Sequence, residues 1–239
     1  MRTLAAVASL AALLAACGDP APTDTPPPSG DGLDPPVAEA PDPAPPGPAP
    51  APPADGGQGG GADWHEVASS ADASRLGRLD EAWRLGRAEA EDKGFADKVE
   101  ALGVLVDPNA AQAGRLQPPP GSYRCRSIKL GSNGRGGLGY LEYPFFRCTI
   151  ALTPGGDLVL TKTTGSQRTR GLLYPDTDRR LVFVGAQAWG ADEAGYPAYG
   201  QMPERDQIGV LERIGSDRWR LVLPWPKYDS KLEILELVR

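Results

Sequence analysis

The sequence predicts an α+β protein: an N-terminal helical hairpin packed on a small antiparallel β-barrel of about eight strands, closed by one disulfide. Three observations carry this expectation. Helix-favouring residues with apolar side chains at three- and four-residue spacing run from Ala68 to Lys93. After Pro118-Pro119-Pro120 the pattern changes to short runs rich in Val, Ile, Leu, Thr and aromatics, separated by Gly, Asp and Pro turns. Two cysteines, Cys125 and Cys148, fall in the first two of those runs.

Taken in order, residues 1–17 read as a lipoprotein signal. Arg2 supplies a positive start and Leu4–Ala16 is an uninterrupted run of apolar and small residues. That run is shorter than the about 20 apolar residues a spanning helix needs, but it suits an export signal. It ends in Leu14-Ala15-Ala16-Cys17, which resembles a lipobox with Cys17 as the lipidated residue. Gly18, and not Asp, follows the cysteine. The expected location is the bacterial cell envelope, lipid-anchored and facing the periplasm, with the outer membrane preferred. Residues 18–62 hold 15 of the 26 prolines between Pro20 and Pro53, with no aromatic residue, Lys or Arg there. Such a composition cannot bury a core and reads as a disordered linker.

The helical segment is expected over 63–117. Asp63 and Glu66 have capping-box spacing. Leu76, Leu79, Trp83, Gly86 and Ala90 share one face, Gly94 is a natural C-cap, and Phe95, Val99, Leu102 and Val106 mark a second helix that Asp107-Pro108 ends. Two short helices cannot stand alone, so their stripe must pack on something.

The barrel is expected over 118–239. Its strands are Tyr123–Leu130, Tyr140–Leu152, Leu158–Thr163, Arg170–Tyr174, Leu181–Gly185, Gln207–Ile214, Trp219–Leu223 and Leu232–Val238. Residues Ala186–Glu204 lack periodicity and read as a long loop over one mouth. An exported protein meets oxidising conditions, so Cys125 and Cys148 should pair.

The chain carries a net charge of −6, unevenly placed. Residues 118–239 hold 17 Lys+Arg and 13 Asp+Glu, residues 63–107 hold 6 and 11, and the linker holds 0 and 7. Either the acidic helices pack on a basic barrel face, or that face meets an anionic envelope polymer, a lipid head group or an envelope protein. Export argues against a nucleic-acid partner. Lys162 shares a strand face with Leu158 and Leu160, and Glu212 with Ile208 and Val210. Charges on apolar faces must be paired or line a wet cavity. The candidate ligand site is therefore a polar interior or mouth made by Arg124, Arg126, Lys162, Arg168, Asp206 and Glu212.

Catalytic parts are scarce. His65 is the single His, which excludes multi-His metal sites, and the three cysteines include no CxxC pair. Gly-x-Ser-x-Gly is absent, and Ser166 near Lys162 reads as a tight turn. No catalytic residue, metal or cofactor is assigned. The remaining enzymatic reading is a hydrolase of envelope glycans using two of Glu142, Asp206, Glu212 and Glu236. A further alternative is an inhibitor-like protein that binds an envelope-directed enzyme, by analogy with small lysozyme-inhibitor lipoproteins.

Several motifs together carry a family resemblance. They are Gly121-Ser122-Tyr123-Arg124-Cys125-Arg126, Ile128-Lys129-Leu130-Gly131, Lys162-Thr163-Thr164-Gly165-Ser166-Gln167-Arg168, Arg205-Asp206, and Glu212-Arg213-Ile214-Gly215 leading into Arg218–Pro224, with Trp64, Arg75, Leu79 and Trp83 before them. The set resembles an uncharacterised bacterial family, domain of unknown function 4893, over roughly Asp63–Arg239. The resemblance implies no activity and transfers no catalytic residue.

Overall fold

The structure is a computed structural model that describes residues 63–134 and 137–239. The expected signal, Cys17 and the linker 18–62 lie outside the described residues.

Four short helices come first: α1 (Trp64–Val67), α2 (Ser70–Leu76), α3 (Leu79–Ala90) and α4 (Ala96–Ala101). The expected continuous helix from Ala68 to Lys93 starts at Ser70 and is broken at Gly77-Arg78, where α2 ends and α3 begins without a side-chain cap. Ser69 is extended and its hydroxyl accepts from the Asp72 N–H, which starts α2 afresh. Asp63 caps α1 by accepting from the His65 N–H. Between α3 and α4 the chain widens into a π-turn over Glu91–Phe95, where Gly94 takes φ 86°. That left-handed angle is why glycine stands there. A 3₁₀ turn at Gly103–Val106 follows α4.

Nine strands follow: β1 (Gly121–Leu130), β2 (Tyr140–Glu142), β3 (Phe146–Leu152), β4 (Leu158–Lys162), β5 (Gln167–Pro175), β6 (Arg180–Trp189), β7 (Asp206–Gly215), β8 (Arg218–Pro224) and β9 (Leu232–Val238). All pairings are antiparallel, and β9 pairs with β1 to close the barrel. The expected strand Tyr140–Leu152 is two pieces beside β1. Glu142 opposes Ile128, but Phe146 opposes Cys125, so four steps on one side face three on the other. This is a β-bulge at Tyr143-Pro144-Phe145, and Pro144 fits there because it lacks the N–H a ladder requires. Counting β2 and β3 as one interrupted strand, the barrel has eight. Strand β6 also runs to Trp189, shortening the expected loop to 190–205, which itself holds a 3₁₀ turn at Pro203–Arg205.

Alternation separates two apolar faces. Inside lie Cys125, Cys148, Ile150, Leu160, Phe183, Leu211, Trp219, Leu221 and Leu235, with the Cys125–Cys148 disulfide among them. Outside, Val182, Val184, Ile208, Val210, Val222 and Ile234 meet Trp64, Leu76, Trp83, Val99 and Leu105 from the helical segment. The helices therefore cover one flank of the barrel. Among the described residues no helix is long and apolar enough to cross a membrane.

Candidate functional site

The six basic and acidic residues expected to share one site lie in five places. Strand parity decides where. Lys162 points inward. Its ammonium donates to the Gln167 carbonyl at 2.8 Å and sits 4.4 Å from the Phe146 ring centroid. Burial lowers its pKa. Glu212 points outward beneath the helices and pairs with fully buried Arg220 at 2.7 Å. Arg220 also donates to the carbonyls of Val104, Leu105 and Asp107, so it caps the end of the helical segment. Arg168 holds down the 190–205 connection through the Gly190 and Glu193 carbonyls. The carboxylate of Asp206 accepts from the Gly200 N–H at 2.9 Å, and burial raises its pKa. Only Arg124 and Arg126 stand together, on the outer face of β1.

The inward polar residues gather at one end of the barrel: Lys129, Lys162, Gln167, Thr169, Gln187, Gln207 and Glu233. Lys129 bonds to Asp229 at 2.5 Å and to Gln167 at 2.7 Å, with Glu233 at 3.9 Å. Burial alone would lower its pKa, but Glu233 and Asp229 outweigh that and raise it. Trp189 and Tyr228 close this mouth, their ring centroids 5.5 Å apart. The cavity left at the mouth is about 10 Å³, room for about one water. The polar interior is thus filled by its own network.

A larger space lies outside. A groove of about 720 Å³, open to solvent, runs between α4 and the bulged β2–β3 strand. Lys98 of α4 and Phe95 form one wall. Arg126, Glu142, Tyr143 and Phe145 form the other, with Tyr140 between them. Tyr140 stacks on Phe95 at 5.5 Å and donates its hydroxyl to Glu142 at 2.7 Å. Burial and that carboxylate raise the Tyr140 pKa, keeping it a donor. Arg126 pairs with Glu142 and, at 2.5 Å, with Glu236, which Arg218 also holds at 2.5 Å. The exposed Phe145 ring lies 4.9 Å from the Arg124 guanidinium and 5.1 Å from that of Arg126. Lys98 and Arg124 form no ion pair among the described residues.

Lys98, Tyr143 and Phe145 were not among the expected site residues, and Phe95 was expected only on the apolar stripe of the second helix. The available signal was Pro144 inside a strand-like run of aromatics, which marks a bulge. The four carboxylates considered for hydrolysis are each engaged: Glu142 and Glu236 by Arg126, Glu212 by Arg220, and Asp206 by a backbone N–H.

Comparison with known proteins gives one match. The model of a family described as a domain of unknown function, DUF4893, matches residues 64–237. No curated protein and no solved structure matches.

Proposed function

The chain belongs to the DUF4893 family, and on that premise we propose that it is a non-enzymatic binding module of the bacterial cell envelope. A lipid on Cys17 tethers it to a membrane, with the outer membrane favoured, and the barrel faces the periplasm. The binding surface is the groove between α4 and β2–β3, and the ligand is an anionic envelope component. The observation that carries this is Lys98, exposed on the wall of the groove, with Arg124 exposed beside the Phe145 ring that also lines it, neither with a carboxylate partner among the described residues. Desolvated cations normally find partners within the fold. Exposed ones beside an aromatic ring are free to meet an anion or a π-face from outside. Binding is favoured over hydrolysis because Glu142 and Glu236 are both held by the Arg126 guanidinium, so they do not flank an open space as the two carboxyl groups of glycoside cleavage must.

Co-sedimentation with isolated cell-wall material tests the reading. The unaltered chain is expected to sediment, and the double variant Lys98→Glu, Arg124→Glu to remain soluble. Equal sedimentation of both would overturn the groove as the binding surface. The anchor is tested separately. Cys17→Ser should move the protein from the membrane to the soluble fraction, and continued membrane fractionation would contradict lipid attachment at Cys17.

A further inference from the structure

We infer that the groove takes an acidic glycan, with one pyranose face against Phe145 and its carboxylate against Lys98 or Arg124. The inference rests on the groove being the binding surface, as proposed above. Phe145 is 42% exposed, with the Arg124 and Arg126 guanidinium groups 4.9 and 5.1 Å from its ring centroid. An exposed aromatic ring set among charges suits a partner that is apolar on one face and polar at its edges. Sugar rings have that character. Acyl chains do not, and the polar groups around Phe145 interrupt any continuous apolar patch for them to enter.

The polar groups match the rest of a sugar acid. Lys98 and Arg124 lie against aromatic rings but pair with no carboxylate among the described residues, which leaves them able to meet one from outside. Glu142, with its side chain 35% exposed, keeps lone pairs for sugar hydroxyls while Arg126 and Tyr140 hold it in position. Arg126 is itself a positioning residue, because Glu142 and Glu236 occupy its donors. The groove volume of about 720 Å³ falls within the range of small-ligand sites, and its open side lets a longer chain continue past it.

The test is calorimetric titration of the full chain with three soluble probes: oligogalacturonate, its neutral methyl ester, and glycerophosphoglycerol as the head group of an anionic lipid. Oligogalacturonate is expected to bind, and the methyl ester to bind at least about tenfold more weakly. Phe145→Ala, Lys98→Ala and Arg124→Ala should each weaken oligogalacturonate by about tenfold while leaving the melting temperature nearly unchanged. These three side chains are exposed and none is in an ion pair among the described residues, so the variants should fold. Equal binding of acid and ester, or no effect of Phe145→Ala, overturns the glycan inference. If glycerophosphoglycerol alone binds and Lys98→Ala weakens it, the groove stands and the glycan falls. If no probe binds, or binding ignores all three substitutions, both fall.

Discussion

Arg220 shows how a single buried charge ties the two halves of the fold together. It is fully buried, pairs with Glu212 across β7 and β8, lies 5.0 Å from the Trp83 ring centroid, and donates to three carbonyls at the end of the helical segment. Removing it leaves the buried Glu212 without its partner. Arg220→Ala should cost about 3–5 kcal/mol in urea denaturation, and Arg220→Met with Glu212→Leu should recover much of that loss. Glu89 makes the complementary contact from α3. It accepts from Lys231 before β9, from Lys93 at 2.7 Å and from the Ser132 N–H at 3.2 Å. Burial alone would raise its pKa, but these donors outweigh it and bring it from 4.5 to about 2. A depressed carboxylate contributes stability that is complete above its unfolded value and lost as pH falls through its folded value. The melting temperature should therefore drop between pH 4.5 and about 2, and drop less steeply in Glu89→Gln. Equal slopes would show that Glu89 is not the group titrating.

At the scale of elements, the strands were more legible in the sequence than the helices. Alternating runs and turn residues placed every strand within a few positions, because a strand with one face inward must keep period two. The bulge was invisible to alternation alone, since one extra residue resets the phase, and only Pro144 betrayed it. The helix from Ala68 to Lys93 was over-extended because the apolar spacing continues from Leu76 to Leu79 across Gly77, where the chain breaks between α2 and α3, while the Ser69 cap sets its start at Ser70. Gly171 and Gly185 were read as ordinary strand residues. They face each other across β5 and β6, and a Cβ on Gly185 would lie 2.2 Å from the Arg170 carbonyl and 2.7 Å from the Phe183 ring. The pair lets the Phe183 ring fold back inside the barrel. Gly185→Ala should therefore destabilise the fold well beyond its change in propensity, by about 1–3 kcal/mol in denaturant titration. The disulfide belongs to this scale as well. It joins β1 to β3 across 23 residues, and Cys125→Ala with Cys148→Ala should cost about 3 kcal/mol by the same measurement.

For the whole molecule, the uneven charge resolves into contacts. Acidic residues of α2 and α3 meet basic residues between β8 and β9 through Asp72 with Lys227, 3.4 Å apart, and Glu89 with Lys231. Asp72 is fully buried and also accepts from Tyr199 at 2.6 Å and Arg75 at 2.7 Å, so α2 ties together both connections at the polar mouth. Burial alone would raise its pKa, yet these partners hold it below the usual carboxylate range. The candidate site was only partly legible. Arg124 and Arg126 were found from charge, but Lys98 and Phe95 come from α4, and no local pattern announces that a helix will lie beside a particular strand. The central claim is that binding occurs in this groove and not at the closed mouth. Hydrogen-exchange mapping of the full chain, with and without a bound envelope polymer, tests it most directly. Slowed exchange is predicted over 95–102 and 140–146. Slowed exchange over 187–189 and 226–233, with 95–102 and 140–146 unchanged, would contradict it.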